Sequence, residues 1–227
     1  VEGVEHSVER LTDPDRISAV GAVVGSDDVL IADGHHRYGV GRQYRDELRT
    51  ASRPQAEREA AELTLAYVGE LTPDQLSIDA VHRLVTGVPG EQVDRLLARH
   101  FDASPAPEPT PQLLAEMTRL GRLVVLDADG QARWLAPRPG AFDGIRALDG
   151  AWLEHTFDGS TARFEYQHGL AEVRAALRKG RAERAVLIRP TSLAEIQRTA
   201  REGILMPPKS TFFTPKLRTG LVVRQIG

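Results

Sequence analysis

Apolar positions along the chain follow two rhythms. In residues 62–68 (Glu-Leu-Thr-Leu-Ala-Tyr-Val) polar and apolar side chains alternate, which predicts a half-buried strand. From His35 to about Thr50, Val40, Tyr44 and Leu48 recur four apart among charges, which predicts an amphipathic helix. The short run Val29-Leu30-Ile31-Ala32, ended by Asp33-Gly34, reads as a strand leading into that helix. Asp13-Pro14 supplies a cap and a first-turn proline for a short helix over 13–20. Residues 75–88 read as a strand running into a loop, and 90–101 as a helix with Val93, Leu96 and Leu97 inward. Further on come a helix over 112–120 and a hairpin of 123–126 with 133–136 around Asp129-Gly130. A strand over 164–167, a helix over 170–179 stopped by Gly180, and a strand over 184–188 follow. The last elements are a helix over 192–201 capped near Gly203 and a final strand over 221–223.

Residues 104–111 (Ser-Pro-Ala-Pro-Glu-Pro-Thr-Pro) break this series with four alternating prolines, an extended spacer by composition. The expected organisation is therefore a first part over 1–103, a Pro-rich linker over 104–111, and a second part over 112–227. Short strands mixed with helices, without a regular βαβ series, predict an α+β fold with a mixed sheet and surrounding helices.

Composition narrows the chemistry. The chain has 227 residues, 41% hydrophobic and 27% charged, so it has the apolar content for a core without staples. It has no cysteine, which removes disulfides, zinc ribbons and thiol nucleophiles together and fits a cytoplasmic setting. No apolar run approaches the roughly 20 residues of a membrane span, so no membrane partner is expected. No basic-then-apolar leader opens the chain. The first residue is Val1, which reads as a fragment or a processed product. The net charge of −3 and 5% aromatic content argue against a nucleic-acid partner. Nothing in the sequence indicates an oligomeric state.

Two segments concentrate hydrogen-bond donors. The first is Asp33-Gly34-His35-His36-Arg37-Tyr38. A Gly turn opening a helix exposes backbone N–H groups at the positive end of the helix dipole, which makes an anion site. His35, His36 and Arg37 add donors there, and the planar guanidinium suits phosphate oxygens. Asp33 makes sense as the helix N-cap, as a ligand for a bridging Mg²⁺, or as a base beside the phosphate. Adjacent histidines on a helix point about 100° apart and do not easily share a zinc ion. The bland alternative is a capped turn with solvated histidines.

The second is Met206-Pro207-Pro208-Lys209-Ser210-Thr211, followed by Lys216. It is not a P-loop: Pro208 stands where the second glycine belongs, and proline has no N–H to offer phosphate. Lys209, Ser210, Thr211 and Lys216 still form a compact donor cluster on a proline-stiffened loop; the alternative is a rigid loop with solvated lysines. His82-Arg83, bracketed by apolar residues, is a weaker candidate, since such a histidine is more often structural. His6, His100, His155 and His168 read as surface or core residues, and Trp134 and Trp152 as core.

Asp33-Gly34-His35-His36-Arg37-Tyr38 and Met206 to Phe213, with Pro215-Lys216 and Gly220-Leu221, together resemble the family catalogued as domain of unknown function 1015. His82-Arg83 and Tyr166 with His168 fall in that family's order. The residues before His82 (Ile78-Asp79-Ala80-Val81) depart from the Pro-Thr expected there. Members are usually longer, so the chain resembles their C-terminal part or a shortened member. The strand, Gly turn and His/Arg helix also look like the phosphate signature of the ParB and sulfiredoxin superfamily. Free-serine kinases of that group carry a closely similar Asp-Gly-His-His-Arg.

The resemblance implies a ParB/sulfiredoxin-like first part in which Gly34, His35, His36 and Arg37 hold the phosphates of a nucleotide (ATP or ADP). Lys209, Ser210 and Thr211 would assist. Asp33 would sit at Mg²⁺ or the acceptor hydroxyl, and His36 would join it in catalysis. His82, Arg83 and Lys216 would face a small-molecule substrate. Two functions then compete: phosphoryl transfer to a small hydroxylated metabolite, and a nucleotide-gated binding module without rapid turnover. A purely structural domain would not need two donor clusters.

Overall fold

A computed structural model describes residues 5, 7–51, 53–72, 74, 76–204, 206–207, 209–214, 220 and 222–224. Among these the chain is α+β, with eight helices and eight strands, and every strand pairing is antiparallel. No described helix is long and apolar enough to cross a membrane. The chain divides into two compact units, Val1–Gly69 with Arg218–Gly227, and Glu70–Leu217.

The first unit contains α1 (Pro14–Val24), α2 (His35–Thr50) and α3 (Gln55–Ala61). Asp13 caps α1 as expected, its carboxylate accepting from the N–H groups of Asp15 and Arg16 at 2.9 and 3.4 Å. Leu48 on α2 is buried. Arg49 on α2 grips Glu62 through two bonds of 2.7 Å, and Arg224 donates to the carbonyls of Ala60 and Leu63.

Two expected strands do not form in this unit. Residues 29–32 and 62–68 have no ladder partner among the described residues, and Val29, Leu63, Leu65 and Tyr67 are exposed. Alternation marks a face to bury, but a strand exists only as a pairing. The expected final strand is also absent at Val222 and Val223, while Leu221 lies outside the described residues.

The second unit is built on a sheet in the order β3-β5-β4-β7-β2-β6. Its strands are β2 (Val81–Thr86), β3 (Phe101–Pro105), β4 (Leu123–Leu126), β5 (Ala132–Pro137), β6 (Arg163–His168) and β7 (Arg184–Leu187). A separate ribbon pairs β1 (Ser77–Asp79) with β8 (Phe212–Thr214). The period-two rule sorts the core. Val85, Leu123, Val125, Leu135 and Val186 face α4 (Gly90–Leu97) and α6 (Asp149–Phe157). Leu84, Val124, Leu126, Trp134, Ala185 and Leu187 face α5 (Pro111–Leu120) and α7 (Leu170–Arg178). Each face of the sheet thus carries a helical layer. The last helix, α8 (Leu193–Arg201), starts at Ser192, whose hydroxyl accepts from the Glu195 N–H, and Gly203 follows it with φ 64°.

The division falls between Gly69 and Glu70, not in residues 104–111. There Pro105 ends β3, an edge strand, opposite Arg133, and Pro111 is the first residue of α5, behind the Thr110 cap. An edge-strand end and a first helical turn are the places where a missing N–H costs least. The proline run is therefore woven into the second unit.

Candidate functional site

In the first unit the Asp33–Arg37 turn is built by backbone. Gly34 has φ 87° and ψ 21°, a left-handed conformation that glycine adopts without a Cβ penalty, and it is the N-cap of α2. No side chain caps the helix. The Asp33 N-cap role is thus corrected: glycine takes the position because the chain must reverse there. The first intrahelical bond runs from Tyr38 N to the Gly34 carbonyl at 2.9 Å. The N–H groups of His35, His36 and Arg37 have no acceptor among the described residues. Arg37 curls back over the turn, so that a Cβ at Gly34 would stand 3.0 Å from its Nη2. That nitrogen lies 3.3 Å from Asp33 Oδ2, with both side chains well exposed. Donor-rich N–H groups, an exposed guanidinium and one carboxylate therefore share an open surface. Among the described residues no three His, Cys, Asp or Glu side chains gather as a metal cage. A single carboxylate fits Mg²⁺, which is commonly held by one or two carboxylates plus phosphate oxygens and water.

In the second unit His82 and Arg83 lie within the buried run Val81–Val85 of strand β2, each 2% exposed. Period two sends them to opposite faces. His82 Nδ1 accepts from the Ile188 N–H at 3.2 Å, which fixes the proton on Nε2 in the neutral ring. Burial, reinforced by Arg83 and His168, pushes its pKa down to about 4. Arg83 lies 4.6 Å from the Tyr166 ring centroid and donates to the carbonyls of Val81 and Lys209. Burial lowers its pKa, opposed by Tyr166, Glu154 and Asp149.

The donor loop packs on this end of the sheet. Ser210 Oγ donates to the Pro207 carbonyl at 2.7 Å, and Thr191 Oγ1 to the Ser210 carbonyl at 2.8 Å. Phe212 stacks on His168 with centroids 4.4 Å apart. Lys209 has φ 55°, the one non-glycine positive φ among the described residues. Beside the loop, Asp149 at the start of α6 takes four bonds from Arg189, including the backbone N–H at 2.7 Å and Nη2 at 2.5 Å.

The structure thus gathers Asp33, Gly34, His35, His36 and Arg37 in one unit, and His82, Arg83, Lys209, Ser210 and Thr211 in the other. Lys216 lies outside the described residues. His82 and Arg83, expected to face substrate, are turned into the unit. Sequence reasoning missed Asp149, Arg189 and Thr191. Asp149 and Arg189 are 40 residues apart, and no local pattern signals their pairing. Beyond the turn, α2 residues from Gly39 to Thr50 line a shallow, open depression on the surface.

No curated protein matches the sequence. Among solved structures, a conserved hypothetical protein from Pyrococcus furiosus superposes with a TM-score of 0.48 at 14% identity, over 88% of this chain and 81% of that one. Free serine kinase in complex with AMP gives 0.48 at 14% identity, over 90% and 81%. A variant of free serine kinase in complex with ADP gives 0.47 at 15% identity, over 90% and 82%. One family profile, described as a protein of unknown function (DUF1015), matches residues 1–151. That span is well over half of the 227 residues, and the chain belongs to the DUF1015 family.

Proposed function

We propose that the protein binds nucleotide phosphates at the start of α2 and transfers the terminal phosphoryl group to a small hydroxylated metabolite. One observation carries this reading: an uncapped helix N-terminus on a left-handed glycine, with Arg37 folded over it and Asp33 alongside. Helix N–H groups and guanidinium are the groups that hold phosphate oxygens. The resemblance of Asp33-Gly34-His35-His36-Arg37 to the free-serine kinase motif supports the same assignment.

Phosphoryl transfer asks the protein mainly for positioning and charge neutralisation. His36 and Arg37 neutralise the transferring group. Asp33 accepts the proton of the acceptor hydroxyl as its oxygen bonds to phosphorus, and the bridging P–O bond to the nucleotide breaks. Alternatively, Asp33 holds Mg²⁺, which would supply charge neutralisation on the phosphate oxygens. Lys209, Ser210 and Thr211 form a second phosphate-binding group, with Arg83 donating to the Lys209 carbonyl from beneath. Lys216 belongs to the same donor-rich segment of the sequence.

The test is turnover with labelled ATP and ADP across small hydroxylated metabolites. As a base, Asp33 contributes about 10²–10⁴-fold. Asp33→Asn should therefore lose turnover on that scale while keeping nucleotide binding. Full turnover in Asp33→Asn would remove Asp33 from the mechanism; binding without turnover on any acceptor would favour the nucleotide-gated module.

A further inference from the structure

The carbonyls of Lys209 and Ser210 both accept hydrogen bonds from elsewhere in the unit. Arg83 Nη2 reaches the Lys209 carbonyl at 3.5 Å, and Thr191 Oγ1 reaches the Ser210 carbonyl at 2.8 Å. In a planar trans peptide the N–H points opposite to the C=O of the same unit. The Ser210 N–H therefore points away from Arg83, and the Thr211 N–H away from Thr191. Neither N–H has an acceptor among the described residues. Lys209, at φ 55°, reverses the backbone immediately before these two N–H groups, and successive N–H groups at such a reversal are a known anion-binding arrangement. The flanking charges favour an anion. Arg83 is buried against the loop, and Lys209 is exposed on it. Asp149, one of the carboxylates near Arg83, is engaged by Arg189.

We infer that Ser210 and Thr211 hold an oxyanion through their backbone N–H groups, and that Arg83 is the positioning residue that shapes this site by holding the Lys209 carbonyl. The inference deepens the proposed function and rests on it for one thing, the choice of a phosphoryl group as the ligand. The site lies within the second unit and draws on no residue of the α2 turn. Arg83 acts from beneath the loop, which accounts for a cationic side chain held almost wholly out of water.

The test is an amide ¹H–¹⁵N titration of the full chain with inorganic phosphate, pyrophosphate and ADP, against chloride at equal ionic strength. Downfield movement of the Ser210 and Thr211 amides with a phosphate ligand, absent with chloride, is the expected result. Movement with inorganic phosphate identifies a free oxyanion as sufficient, and movement with ADP alone identifies the nucleotide as its source. Arg83→Met should weaken the response by about tenfold or more, and Arg83→Lys should restore part of it. In Arg37→Ala the loop response should persist while that of the His35–Arg37 amides is lost. A silent Ser210 and Thr211 beside responsive α2 amides would overturn this inference and leave the α2 assignment standing. Equal movement with chloride, or an Arg83→Met chain that folds and responds like the wild type, would overturn it too.

Discussion

His82 couples the second unit to pH. An unfolded histidine titrates near about 6.5, whereas burial holds His82 at about 4. Between those values the unfolded chain binds more protons than the folded one. The contribution of the neutral ring is therefore fully present above about pH 6.5 and is lost as pH falls toward 4. The gap corresponds to roughly 3 kcal/mol. His82→Gln, which keeps an acceptor for the Ile188 N–H, should flatten that part of a urea-denaturation profile measured against pH; an unchanged slope would assign the acid sensitivity elsewhere. Lys209 makes the opposite case, a residue whose backbone is costly where it stands. Left-handed backbone costs a non-glycine residue about 1–2 kcal/mol, and glycine returns part of that as chain entropy. Lys209→Gly should raise stability by roughly 0.5 kcal/mol while weakening phosphate binding through the lost ammonium. Paired melts and titrations would show a gain in one and a loss in the other. Loss of both would mean the lysine side chain packs for stability.

Among the elements, what can be read locally is what formed. The α2 helix, the hairpin around Asp129-Gly130 and the Ser192 cap depend on neighbours a few residues away. Residues 29–32 and 62–68 carry strand patterns without partners among the described residues, and β8 pairs with β1 across 137 residues, beyond any local signal. The donor residues were legible as chemistry, since Gly34, Arg37 and Lys209 declare their type in the sequence. Their settings were not: burial of Arg83 follows from β2 lying inside the sheet between β7 and β6, and strand order has no local signature. Asp149 and Arg189 illustrate the same gap. Their pair joins the start of α6 to the segment just after β7, with Asp149 7% exposed. Removing one partner of such a pair leaves a poorly solvated charge. Asp149→Ala should cost roughly 3 kcal/mol in urea denaturation, and Asp149→Asn less, since one acceptor remains. A loss within about 0.5 kcal/mol, as for an ordinary surface change, would show that water compensates Arg189.

At the scale of the whole molecule, the two donor clusters belong to different compact units, and the phosphate assignment at α2 stands or falls by itself. The most direct measurement is thermal stability of the full chain and of Arg37→Ala with ATP and ADP, each with and without Mg²⁺. A ligand at about 100 times its dissociation constant adds roughly 2.7 kcal/mol, which for a protein of this size is a rise of several degrees. The account predicts such a rise with at least one nucleotide for the wild type and its loss in Arg37→Ala. No rise with either nucleotide, or an equal rise in Arg37→Ala, would contradict it.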